Sequence, residues 1–109
     1  MTKTVLDEIK HALMAANAVD GEQEFCVAWL GKNASYMRVL RFQQLQPSAD
    51  ALSVCASKLN YYTQRLEGSS DSKQKQWAQR FVVLHGKCTT ALKEQARTKW
   101  QAVERMGAV

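Results

Sequence analysis

The side chains that most often carry covalent or metal chemistry are few in this sequence and poorly spaced for it. Cys26, Cys55 and Cys88 stand far apart with no C-x-x-C pair, and His11 and His85 lie on different segments. Neither residue type therefore has the spacing of a metal site. Ser35 and Cys55 are possible nucleophiles by type, but neither has a histidine near it in sequence to act as base. Asp20, Glu22 and Glu24 cluster beside a turn, where the positive end of a helix attracts carboxylates. No G-x-x-x-x-G-K-[ST], G-x-G-x-x-G or H-E-x-x-H motif occurs. The sequence thus argues against an enzyme, a metal site or a cofactor, and the three cysteines read as reduced, mostly buried thiols.

What remains is the chemistry of recognition. On a helix from about Ser35 to Gln43, Met37 and Leu40 face inward with Tyr36 at their flank, while Ser35, Arg38, Val39 and Phe42 fall on the other side. An arginine can bond the edge of a guanine, and a valine or phenylalanine can meet a thymine methyl. The flanking residues supply a way to hold such a helix. The apolar run Phe25, Val27, Ala28, Trp29, Leu30 ends at Gly31, and glycine accepts the left-handed conformation that closes a helix. Asn33 or Ser35 can cap the next helix, and Pro47 with Ser48 fits the first turn of a third.

This layout resembles the lambda-repressor-like (Cro and phage-repressor type) helix-turn-helix family over about Gln23 to Leu59. Gly31, Met37, Leu40, Pro47, Ser48, Leu52, Ala56 and Leu59 occupy the family's landmark positions without a gap. The resemblance implies double-stranded DNA as partner. By position, Ala34, Ser35, Arg38 and Val39 would face the major groove, Gln23 would touch a phosphate, Lys32 and Asn33 would sit beside the backbone, and Gln43 and Gln44 would leave the helix close to phosphates. In the DNA-binding reading Arg41 joins Gln23, Lys32, Asn33 and Gln43 in holding the backbone. Two positions depart from the pattern: Phe25 falls one residue before the usual apolar site, and Val27 stands where the family places a small alanine.

The 109 residues, 46% of them apolar with five glycines and one proline, favour an all-α protein. The expected architecture is a compact helix-turn-helix bundle of about four helices over residues 1–68, followed by a long C-terminal helix or helical hairpin over 69–109. Thr4 to about Asn17 reads as the first helix, with Val5, Ile9, Leu13 and Ala16 on its inner face. A later helix carries Ala51 or Leu52, Cys55, Ala56, Leu59, Tyr62 and Leu66 on one side, up to Gly68. Gly68-Ser69-Ser70 breaks the composition, and Asp71 with Gln74 resembles a capping box. From there to about Met106 a continuous helix would be about 50 Å long.

Along that segment Trp77, Phe81, Leu84, Cys88, Leu92, Ala96, Trp100 and Val103 form a stripe at near-heptad spacing, which asks for a partner helix. A break near His85-Gly86 would bury it in a hairpin; a second subunit would bury it in a homodimer. Pairing is favoured, because glycine inside a helix costs only ~1 kcal/mol whereas three uncovered aromatic or leucine side chains forgo ~5 kcal/mol.

The net charge of +5 is unevenly placed. Residues 1–68 hold seven Lys or Arg and seven Asp or Glu, and residues 69–109 hold eight against three. The basic excess thus belongs to the C-terminal extension, as a solvated face or as a contact for flanking phosphates or an acidic protein. Asp7 and Glu8 interrupt any signal-like core, and no apolar run is long enough to span a bilayer, so a cytoplasmic protein with no membrane partner is expected. The sequence therefore reads as a small sequence-selective DNA-binding protein, a transcriptional regulator acting as a homodimer. The alternative is a helical assembly module that binds another protein through Val39, Phe42 or the basic C-terminal helix without reading DNA.

Overall fold

Thr4 opens helix α1 (Val5–Ala15) by a reciprocal cap. Its hydroxyl accepts the Asp7 N–H at 3.3 Å while the Asp7 carboxylate accepts the Thr4 N–H at 3.0 Å, which satisfies two donors that the helix start leaves free. The computed structural model describes residues 4–104 and, among them, shows only helices and their connections: after α1 come α2 (Glu22–Leu30), α3 (Tyr36–Gln43), α4 (Ala49–Glu67) and α5 (Ser72–Glu104).

The inner face of α1 is Leu6, Ile9 and Leu13, with Val5 and Ala16 only partly covered, so the stripe sits one residue away from the expected Val5 at its start. Helix α2 buries Phe25, Cys26, Trp29 and Leu30, and Val27 points outward, so it does not obstruct the approach of a neighbouring helix. Gly31 ends α2 at φ +65°, the left-handed conformation in which any other residue would be strained. The Lys32 N–H then reaches back to the Cys26 carbonyl at 3.0 Å.

Helix α4 starts later than expected. Ser48 is its cap, accepting the Ala51 N–H at 3.1 Å, and Pro47 lies just outside rather than in the first turn. Its buried face is Ala51, Leu52, Cys55, Ala56, Leu59 and Thr63. Tyr62 is 37% exposed and lies outside the buried face, and Thr63 takes the inward place by donating its hydroxyl to the Leu59 carbonyl at 2.7 Å.

Helix α5 is continuous through Gly86, so the hairpin alternative is not adopted. Nor does its stripe wait for a second chain. Phe81, Leu84 and Cys88 are buried in the same core as Leu52, Cys55 and Leu59, with Trp77, Ala91 and Leu92 packed partly against it. The expectation underestimated α4, whose inner face continues for most of its 19 residues and offers α5 an antiparallel neighbour within the chain. The break at 68–71 is therefore a turn within one core, not a boundary between a domain and an appendage. Of the remaining positions expected at a dimer seam, Ala96 and Trp100 are exposed, and Val103 lies outside the residues whose side chains are described. The molecule's long axis, 55 Å, matches the roughly 50 Å expected of a helix of this length.

Candidate functional site

Helix α3 stands apart from the other four in how it is held. Only Met37 is fully buried; Tyr36 and Leu40 are partly covered, and the rest of the helix faces outward. Its attachment is otherwise polar. The Tyr36 hydroxyl accepts the Ser48 N–H at 2.9 Å and lies 3.3 Å from the Ser48 hydroxyl, which fixes the start of α3 to the cap of α4. Arg41, in the last turn, donates two bonds of 2.7 Å to the two oxygens of Glu22. Glu22 also receives Lys10 at 3.1 Å, so a single carboxylate gathers α1, α2 and α3. Those partners, the Arg41 bonds first, hold the Glu22 carboxyl at about 2, well below the ordinary 4.5, against the opposing effect of burial. Gln44 closes α3 at φ +56°, an uncommon conformation for a residue with a side chain.

The positions expected to face a groove fall on this exposed surface. Arg38 is exposed and makes no ion pair among the described residues; Val39 is 41% exposed and Phe42 88% exposed. Ser35 is half-buried and does not itself cap α3. The Asn33 side-chain oxygen accepts both the Ser35 N–H at 3.1 Å and the Ser35 hydroxyl at 2.9 Å, a local turn that sets the angle at which α3 departs. Gln23 and Gln43 are exposed at the start of α2 and the end of α3.

Both cations expected on a phosphate backbone already have carboxylate partners. Arg41 is held by Glu22, and Lys32 lies 3.0 Å from Asp50 while its ammonium sits 5.7 Å from the Tyr36 ring centre. These pairs fix the two side chains at the ends of α3. Lys32 still has ammonium hydrogens to offer, and Arg41 has N–H donors beyond the two it uses. Sequence reasoning assigned Glu22 to a helix start and missed its second role. The only hint was its position among three carboxylates, since neither Lys10 nor Arg41 lies at helical spacing from it.

The three thiols are buried and unpaired. Burial pushes the Cys26 thiol up, and a hydrogen bond with Cys88, then burial, pushes the Cys55 thiol well above its usual range. Cys26 and Cys55 therefore stay protonated and behave as small apolar groups, and the Cys88 thiol donates to the Leu52 carbonyl at 3.1 Å. Among the described residues no cluster of three His, Cys, Asp or Glu side chains is placed to hold a metal ion. No helix there is long and apolar enough to cross a membrane.

No curated protein and no solved structure matches this chain. A family model does match, and it runs from α1 into the last turns of α5 without a break at the α4–α5 turn, as expected of a unit with one core. With residues 6–101 matched, the chain belongs to DUF6626, a family of unknown function.

Proposed function

We propose that the protein is a DNA-binding regulator that lays α3 in the major groove of double-stranded DNA, as its resemblance to the lambda-repressor-like helix-turn-helix family implies. The observation that carries the reading is the placement of α3: a helix anchored by one buried side chain, gripped at both ends by polar contacts, and presenting Arg38, Val39 and Gln43 outward. In this reading Arg38 and Val39, with Ser35 beside them, meet base edges. Gln23, Lys32, Asn33, Arg41 and Gln43 meet phosphates, with Arg41 oriented for that contact by Glu22. Two copies associate through the end of α5 at Ala96 and Trp100, since Phe81, Leu84 and Cys88 are enclosed within each chain.

Selection from a diverse duplex pool at low salt tests this. A preferred sequence should emerge. Arg38→Ala should lose about tenfold or more in discrimination at one base pair, as expected for loss of a bidentate base contact. Lys32→Ala should weaken all duplexes alike and flatten the salt dependence. An affinity no greater than that of an unrelated basic protein would refute the proposal.

One observation favours a second reading, a protein-binding surface. Phe42 is 88% exposed, and Val39 and Leu45 are exposed nearby in sequence. Aromatic side chains of this kind anchor protein interfaces. Phe42→Glu separates the two: loss of a protein complex with DNA affinity unchanged supports the second reading, and loss of DNA affinity alone supports the first.

A further inference from the structure

At the end of the bundle where the turn after α1, the middle of α2, the second half of α4 and the start of α5 converge, a hollow of about 400 Å³ opens to the surface. Four aromatic side chains line it: Trp29, Tyr62, Trp77 and Phe81. Trp29 and Tyr62 lie 5.5 Å apart between ring centres, and Trp77 and Phe81 meet edge to face at 6.3 Å. Close-packed interiors leave few voids larger than a water molecule, and pockets of roughly 300–1,000 Å³ with apolar, aromatic linings are where proteins hold small ligands.

Basic groups approach two of the aromatic walls. Lys58 is one of its lining residues; its ammonium lies 4.7 Å from the Trp29 ring centre and donates one hydrogen to the Ala28 carbonyl at 2.7 Å. Two of its three donors remain. Arg80 lies 4.9 Å from the ring centre of Trp77, a second wall residue. The acidic lining residue, Glu24, already accepts the Asp20 N–H at 2.7 Å through one oxygen, which ties it to the turn ahead of α2.

We propose that this hollow is a binding site for a small flat aromatic acid, its rings against the aromatic lining and its carboxylate on Lys58. The site is independent of whether α3 reads DNA, because its lining comes from the other helices and the turn after α1. It adjoins α2, whose Ala28 carbonyl Lys58 holds, and so touches the helix that leads into α3.

The test is NMR titration of the full chain with 2-naphthoate, its neutral isostere 2-naphthamide, and 2-naphthylmethylammonium. The three indole N–H signals are the readout, with exposed Trp100 as a control distant in sequence from the lining residues. Naphthoate should shift Trp29 and Trp77 saturably and leave Trp100 unmoved. The amide should bind about tenfold more weakly, the difference a charge-assisted hydrogen bond makes, and the ammonium more weakly still. Lys58→Met should bring naphthoate down to the level of the amide without changing the amide. Ala28→Leu, at an exposed helical position on the rim, should weaken both. Absence of saturable shifts, equal binding of acid and amide, or preference for the ammonium would overturn the proposal, the last by making Glu24 the partner.

Discussion

Helices α3 and α5 are attached to the same protein by opposite means. Helix α5 sinks Phe81, Leu84 and Cys88 into the core along an antiparallel seam with α4, whereas α3 buries Met37 alone and relies on Tyr36, Arg41 and the Asn33 turn. Apolar burial is insensitive to direction and salt, while exposed polar ties are directional and screened. Stability and exposure are thereby assigned to different helices. The α4–α5 pair holds the molecule together, and α3 is positioned accurately but held lightly enough to present nearly all of its surface. Local opening should therefore begin at α3.

The largest expected effect would come from removing the α5 anchor. Phe81→Ala should destabilise the whole chain by about 3–5 kcal/mol, read as a lower urea midpoint in one cooperative transition. If α5 were an appendage, only its own helical signal would be lost and the remaining transition would not move. Met37→Ala should cost about 2 kcal/mol, at the low end for a buried methionine because α3 can shift at the surface. Hydrogen exchange should then quicken in α3 more than in α5; equal acceleration in both would erase the contrast.

Glu22→Gln comes next. The carboxyl of Glu22 is held at about 2, below its ordinary 4.5, so the folded state resists its protonation. The pair's contribution is complete above about 4.5 and fades as pH falls toward 2. At neutral pH the variant should lose about 1–2 kcal/mol, reduced from the full linkage value because Arg41 is exposed to solvent. The gap between variant and parent in urea midpoints should close through that acidic window; a gap independent of pH would mean that the ion pair is not its source. The smallest change has the opposite sign. A Cβ at Gly86 would meet nothing within 4 Å, so Gly86→Ala should stabilise the middle of α5 by about 0.5–1 kcal/mol and raise the melting temperature.

Local chemistry made much of this architecture legible in the sequence. The start of α1 at Thr4, the glycine at 31, most of the inner face of α4 and the apolar spacing of α5 all act within a few residues, where sequence order and spatial order coincide. Periodicity told which face of α5 is apolar but not what covers it, and the choice of a second subunit for Phe81, Leu84 and Cys88 failed there. For the candidate site, the outward placement of Arg38, Val39 and Phe42 followed from helical spacing alone. The links that set its geometry, Glu22 to Arg41 and Tyr36 to Ser48, join residues on different helices, and no local pattern announces them.

The burial of Phe81, Leu84 and Cys88 also dictates an order of events at the ribosome. A nascent chain that has emerged only as far as Gly68 has α1 and α2 to set against Leu52, Cys55 and Leu59 but still lacks Phe81, Leu84 and Cys88, which close the core on the α5 side. The short turn from Gly68 to Asp71 then lets α5 fold back on α4 at little loop-closure penalty. The docking of α1 on α5 joins segments from opposite ends of the chain, so it waits until synthesis is nearly complete. A nascent chain stalled at Gly68 should be cleaved readily by protease, and one extended past Leu92 should resist.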